Sequence, residues 1–313
     1  MRTWSFAKGH GTLNDFVLIK DRSGLLNPSV EDVRFLCDRR RGVGADGFLR
    51  AVRAEKMPGW DGPSGVWFMD YRNADGSYAQ MCGNGLRVFV QWLVEEDLAA
   101  GDPIRIATRA GLRLAHVKHD GRVSVTMGTP VWSTTVGGVR VGGQQWFGHV
   151  VDVGNPHCVV HLTSEEELAA LDLDQPIAAD PDVFPDGANV EFVVDRGPDH
   201  LGMRVYERWV GETMSCGMGV VAACCDDRGL RAVTANRDSG QTDRLGASSQ
   251  SGRLGETDRP AVSRPGRDDY SERLYHVDVP GGTLKVTFNG AGEASLTGPA
   301  TIVARGEVSL PDV

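Results

Sequence analysis

The sequence predicts an α/β protein of the α+β kind, made mostly of short strands and built as two similar halves. Three observations lead there. Forty glycines in 313 residues fall at turn-like places between short apolar segments, as the connections of many strands do. Helical patterns are few. One unusual motif occurs once in each half, as Met81-Cys82-Gly83-Asn84-Gly85 and as Ser215-Cys216-Gly217-Met218-Gly219. Each follows a polar segment and opens an apolar run of helical character, 86–94 and 220–225.

The elements follow in order. Residues 16–19, 66–69, 123–127 and 284–288 read as strands, being rich in Val, Ile, Phe and Trp. A helix is predicted over 28–37, with Asn27 as N-cap and Pro28 in the first helical position. A second begins at Cys82. A third covers 164–171, where Ser164 precedes Glu165, Glu166 and Glu167 in the first turn. The fourth begins at Cys216 and is expected to be short, ending near Asp226-Asp227-Arg228-Gly229. Both halves run in the same order: an Asn beside a strand (Asn14, Asn155), further strands, then the cysteine motif. The Asn-to-Cys intervals are 68 and 61 residues, which points to an internal duplication. Residues 231–273 hold eight arginines, seven acidic residues and one aromatic, Tyr270. So little apolar surface cannot offset ordering entropy, and a disordered loop is expected there.

Composition excludes several classes. A hydrophobic content of 41% with 24% charged residues is ordinary for a globular protein. A formal charge of −9 and no basic stripe argue against a nucleic-acid partner. No apolar run reaches membrane-spanning length, and the first residues lack a signal-peptide core. The six cysteines show neither C-x-x-C nor zinc-site spacing, so no metal site and a reducing cytoplasm are expected.

The repeated cysteine motif carries the chemistry. A cysteine at a helix N-terminus gains from the macrodipole and from free N–H groups, both of which favour the thiolate. Two such groups facing one carbon can invert it: a thiolate removes the proton from one face while a thiol delivers one to the other. The N–H groups of Gly83-Asn84 and Gly217-Met218 suit a carboxylate on that carbon. Glycine there admits close approach of the backbone.

Further motifs accompany the cysteines in a definite order. They are Lys8-Gly9-His10-Gly11-Thr12-Leu13-Asn14-Asp15-Phe16, Gly42-Val43-Gly44-Ala45-Asp46-Gly47, and Tyr71-Arg72-Asn73-Ala74-Asp75-Gly76-Ser77. After these come Gly154-Asn155-Pro156-His157, Asn189-Val190-Glu191, Glu207-Arg208 and Gly211-Glu212-Thr213. With them the sequence resembles the diaminopimelate epimerase family, cofactor-independent isomerases of bacterial lysine and cell-wall precursor synthesis. The resemblance spans nearly all of the chain outside 231–273.

It implies two pseudo-symmetric domains, each a mostly antiparallel, barrel-like sheet around a central helix. The first would cover 1–121 plus 298–313 and the second 122–297, with the site in the cleft between them. It implies Cys82 and Cys216 as the catalytic acid and base, with no cofactor. It also implies substrate contacts at Asn14, Asn73, Gly83, Asn84, Asn155, Asn189, Glu207, Arg208, Gly217 and Met218. Arg208 would clamp the carboxylate of the non-reacting end, while His157 and Glu207 would tune the cysteine pair. The partners implied are diaminopimelate and a second copy of the chain, as a cytoplasmic homodimer.

Two positions depart from the family pattern. Trp209 stands where the family usually has glycine, so crowding or a positive φ is expected there. Met218 replaces the usual Thr or Ser, removing a hydroxyl near the substrate carboxylate. A lost hydrogen bond to a charged group costs roughly 1.5–3 kcal/mol, or about ten- to hundred-fold in rate. The alternatives are a proline racemase-like isomerase of the same fold and a catalytically impaired amino acid-binding homologue. A thiol-redox protein pairing the two cysteines is a further one.

Overall fold

The computed structural model describes residues 2–238 and 273–311. All eighteen strands in this range join one continuous sheet, and their pairing follows one scheme twice. In the first run Thr301–Leu310 pairs with Arg2–Gly11, and that strand with Asn14–Asp21, both antiparallel. Asn14–Asp21 lies parallel to Gly47–Arg53, which is antiparallel to Trp67–Asn73. Trp67–Asn73 is parallel to Ile104–Thr108, and Gly111–Val117 and Val123–Gly128 then add antiparallel.

The second run repeats these senses strand for strand. Val131–Val141, Gln144–Asp152 and Pro156–His161 are antiparallel, and Asn189–Gly197 is parallel to the last of them. His200–Glu207 is antiparallel, Leu274–Val279 parallel, and Gly282–Phe288 and Ala294–Gly298 antiparallel. Val123–Gly128 pairs with Ala294–Gly298 and so joins the two runs. The duplication read from two short motifs is thus carried by the whole ladder.

Each run wraps a helix. In the first it is α2, Gly83–Glu95 (α1 being Val30–Cys37), which touches strands along most of that run. Leu86, Val88, Phe89, Val90 and Leu93 of α2 are fully buried, each such side chain contributing about 1.5–3 kcal/mol. In the second run α4, Gly217–Asp238, takes this place, and α3, Glu165–Ala170, lies outside as α1 does in the first. One apolar core runs from α2 across the joining strands to Val220–Cys224 of α4. The outer helices have their own clusters, Val33 and Leu36 against Val17 and Phe48, and Leu168 against Val160 and Phe192.

Two helix boundaries differ from expectation. The cap of α1 is Ser29, not Asn27, so Pro28 precedes the cap. Ser29 and Asp32 form a reciprocal capping box at 3.0 and 2.9 Å, which satisfies two otherwise orphaned N–H groups and outcompetes the earlier start. The second correction is larger: α4 does not end near Gly229 but continues to Asp238. The polar cluster that looked like a terminus is satisfied within the helix. Asp226 is buried, accepting from Trp132 Nε1 at 2.5 Å and lying 2.8 Å from His161 Nε2. Asp227 pairs with Arg231 one turn on at 2.7 Å. At Gly229 the missing side chain makes room for the Trp132 indole, which a Cβ would meet at 2.4 Å. Residues 231–238 of the expected loop are therefore helical, and 239–272 lie outside the described residues.

Candidate active site

The site forms where the N-termini of α2 and α4 converge. Cys82 is the N-cap of α2, in extended conformation, with its sulfur accepting from the Gly85 N–H at 3.4 Å. Cys216 repeats the arrangement, accepting from the Gly219 N–H at 3.4 Å. Gly217 packs so closely that a Cβ on it would lie 3.1 Å from Asn84 Oδ1 and 3.3 Å from Asn84 N. All six cysteines are free thiols.

Hydrogen bonds tie the two ends together. The Asn84 amide donates to the Ser215 carbonyl at 2.9 Å, to Ser215 Oγ at 3.2 Å and to Asn14 Oδ1 at 3.3 Å. Thr12 Oγ1 donates to Ser215 Oγ at 2.8 Å. Cys82 Sγ lies 3.8 Å from Asn14 Oδ1. Thr12 and Leu13 hold positive φ at the hairpin turn that carries Asn14 to this place.

Burial changes the acidity expected of these thiols. It pushes Cys82 up to about 11, against the lowering contributed by the Gly85 N–H. Burial also raises Cys216 well above the ordinary thiol range, and the charges of Glu207 and Glu191 add to it. The helix N-terminus lowers each thiol's pKa as expected, but burial outweighs it.

The remaining expected residues have these partners. His157 and Glu191 are both fully buried, with Nδ1 and Oε1 2.7 Å apart, and His157 Nε2 meets Asn155 Oδ1 at 3.1 Å. Glu207 accepts from Thr213 Oγ1 at 2.7 Å, and burial raises its carboxyl above the usual range. Asn189 Oδ1 holds the Arg208 backbone N–H at 2.8 Å. Arg208 itself donates to the Asp186 carbonyl at 2.9 Å and stacks 4.2 Å from the Trp209 ring centroid. Asn73 accepts from Tyr71 OH at 3.0 Å and donates to Ser77 at 3.0 Å. Met218 lies half-buried beside the Gly154 turn.

Trp209 answers one expectation by halves. Its indole is 82% exposed, so room is not the difficulty. Its φ is +64°, the conformation a glycine would adopt without strain.

Sequence reasoning did not single out Glu191, Thr12, Ser215 or Arg87. Glu191, Thr12 and Ser215 sit inside the motifs given above. Arg87 offered a signal: it is a charge inside the apolar run that follows Cys82. It is wholly buried, and burial lowers its pKa to about 10.

A family model, "Diaminopimelate epimerase", matches residues 6–133 and 149–249. The chain belongs to the diaminopimelate epimerase family. The diaminopimelate epimerase of Streptomyces coelicolor is 41% identical over 97% of this chain and 94% of its own length. That of Corynebacterium glutamicum (strain R) is 41% identical over 98% and 99%. Among solved structures, a phenazine biosynthesis protein of the PhzF family from Bacillus anthracis superposes with a TM-score of 0.63 at 14% identity, covering 99% of this chain and 100% of the other. A hydroxyproline epimerase from Agrobacterium vitis gives 0.59 at 15%, covering 99% and 94%. At such identities these two share the fold with the epimerase family and nothing finer.

Proposed function

We propose that this chain is a diaminopimelate epimerase, interconverting the LL and meso forms by inversion at one α-carbon between Cys82 and Cys216. The observation that carries the reading is the convergence of two cysteine-capped helix N-termini, cross-linked by Asn84 and Ser215. The first N–H groups of a helix have no partner within it. Gly83, Asn84, Gly217 and Met218 therefore receive the carboxylate of the reacting end, stabilising charge that develops beside it. One sulfur removes the α-proton and the other protonates the opposite face, so the thiol and thiolate exchange places. No cofactor is required.

Asn14, Asn73, Asn155 and Asn189 recognise the ammonium and carboxylate groups, since amides both donate and accept. Arg208 takes the distal carboxylate, exchanging its carbonyl contact for that bond. Glu207 and His157 tune the thiols, His157 through Glu191. The repeated ladder supports a division of the chain near residues 130 and 299, the first break falling after Val123–Gly128 rather than at 121. Family resemblance supports a homodimer and a cytoplasmic location. Among the described residues no helix is long and apolar enough to cross a membrane.

Incubation with LL-diaminopimelate in deuterium oxide tests the reading. The expected product is the meso form with one solvent deuterium at the inverted carbon. Absence of both exchange and inversion would sink it, and binding without exchange would favour the impaired homologue. Turnover of proline or hydroxyproline instead would favour the racemase reading.

A further inference from the structure

The residue before each of the two cysteines is held differently in the two halves. Ser215, which precedes Cys216, is wholly buried, and its hydroxyl accepts from Thr12 Oγ1 at 2.8 Å and from the Asn84 amide at 3.2 Å. The same amide donates to the Ser215 carbonyl at 2.9 Å. Thr12 Oγ1 in turn accepts from Nη2 of the buried Arg87 at 3.2 Å. Arginine can only donate, so the single Thr12 proton is left for Ser215. The chain of bonds therefore has one direction, from α2 in the first half to the start of α4 in the second.

Thr12 is held tightly between the halves. On one side, a Cβ on Gly11 would stand 3.0 Å from Arg87 Nη2 and 3.2 Å from the Asn84 carbonyl oxygen. On the other, a Cβ on Gly281 would stand 1.9 Å from the Thr12 carbonyl oxygen. The Gly281 N–H donates to the Met214 carbonyl at 2.8 Å, just before Ser215. Thr12 also holds φ +52°, which is unfavourable for a β-branched residue. Glycine would adopt it freely but carries no hydroxyl. Such strain persists where the surroundings over-determine it. The matching positions in the other half are built without hydroxyls. The ladder matches the turn after Arg2–Gly11 with Val153-Gly154, and the residue before the other cysteine is Met81.

We propose that Thr12 is a positioning residue for the second thiol: its hydroxyl holds Ser215 against Asn84 and so fixes where the Cys216 sulfur stands relative to Cys82. The assignment deepens the two-thiol reading above and rests on it. Inversion needs both sulfurs within reach of opposite faces of one carbon. Cys82 stands two residues before Asn84, and Cys216 directly follows Ser215, so the contact between Ser215 and Asn84 sets the spacing of the two helix ends. Without the Thr12 hydroxyl, Asn84 still holds the Ser215 carbonyl. The displacement is therefore small, and it falls on the Cys216 side.

Two measurements on the full chain test this in Thr12→Val, Thr12→Ser and Ser215→Ala. The first is epimerisation of LL-diaminopimelate. Thr12→Val and Ser215→Ala should each lower kcat about tenfold, one buried hydrogen bond being lost from the transition state. KM should stay within about twofold, because no group that binds substrate is removed. Thr12→Ser keeps the hydroxyl and should recover most of the rate. The second measurement needs no substrate: iodoacetamide alkylation at one pH, with the Cys82 and Cys216 peptides quantified separately by mass spectrometry. In Thr12→Val the buried Cys216 should alkylate about tenfold faster, since the same lost bond favours local opening, while Cys82 changes by less than about twofold.

A role in stability alone would move both thiols together or neither. An unchanged kcat in a folded Thr12→Val protein overturns the proposal, as does a loss carried by KM. Alkylation that rises equally at both cysteines, or at neither, overturns it too. Should Thr12→Val not fold, Ser215→Ala and Thr12→Ser decide by the same two readouts. If the unmutated chain does not epimerise diaminopimelate, the reading of its function fails, and alkylation by itself decides whether Thr12 holds Cys216 in place.

Discussion

Two turns occupy matching places in the duplicated sheet, one after Trp67–Asn73 and one after His200–Glu207. In the first, Gly76 takes φ +87° and its N–H closes the turn on the Asn73 carbonyl at 2.9 Å. In the second, Val210 closes on the Glu207 carbonyl at 3.0 Å, and positive φ falls on Trp209, one residue before the closing position, as well as on Gly211. One half thus uses glycine where its backbone needs it. The other accepts strain of about 1–2 kcal/mol, offset in part by a cation–π contact of about 0.5–1 kcal/mol with Arg208. The same contrast runs through the whole site. Matching N–H-to-sulfur contacts of 3.4 Å at Cys82 and Cys216 are set among unequal neighbours, so duplication of fold did not bring duplication of environment.

The largest expected effect tests whether the halves are equally necessary. Cys82→Ala and Cys216→Ala should each lower epimerisation about 10²–10⁴-fold, read by chiral separation of LL and meso products. A variant retaining near-normal inversion would break the symmetry of need.

Second, glycines in the first turns of the two helices should respond differently. Gly219→Ala drives a Cβ toward Glu191 Oε1 and should destabilise by about 1–3 kcal/mol. Gly85→Ala approaches nothing nearer than Phe16 carbons at 3.3 Å and the Cys82 Cβ at 3.5 Å, so its loss should be smaller. Urea denaturation of both proteins measures the difference, and equal losses would remove it.

Third, Met218→Thr supplies a hydroxyl at the substrate carboxylate and should raise kcat/KM about tenfold, the low end of a charged hydrogen bond. An unchanged kcat/KM would show that the backbone N–H suffices.

Stability should also depend on pH through both cysteines. Each has its folded pKa raised above the ordinary 9.0. Their contribution is therefore complete below 9 and lost as pH rises, for Cys82 as far as about 11. Denaturation midpoints across alkaline pH measure it, and a Cys82→Ala, Cys216→Ala double variant should show a shallower decline. The smallest effect is expected from Trp209→Gly, which relieves the left-handed strain but loses the Arg208 stack, for a net gain of about 0–1.5 kcal/mol. Destabilisation would mean that the stack outweighs the strain.

Much of this was legible in the chain itself. Short apolar-rich runs placed the strands around 16–19, 123–127 and 284–288, and the paired Cys-Gly-x-Gly motifs marked both helix starts and the candidate site. These depend on neighbours in sequence, where periodicity and capping act. Ser29 displaced Asn27 as a cap because the choice rests on which hydrogen bonds close. Asp226 and Gly229 read as a helix end because their partners, Trp132, His149 and His161, lie on strands far away in sequence.

By itself the sequence determined a duplicated, strand-rich fold, the two cysteines and their positions at helix starts, because each is a property of a short run of residues. Tertiary structure alone decided that His157 pairs with Glu191 and that Trp209 turns its indole outward. It also decided that burial outweighs the helix N-terminus in setting the acidity of both thiols. Only there did Glu207 come to bear on both thiols and Glu191 on Cys216. Burial and charge at a thiol depend on what the folded chain brings around it, and residues distant in sequence supply most of that.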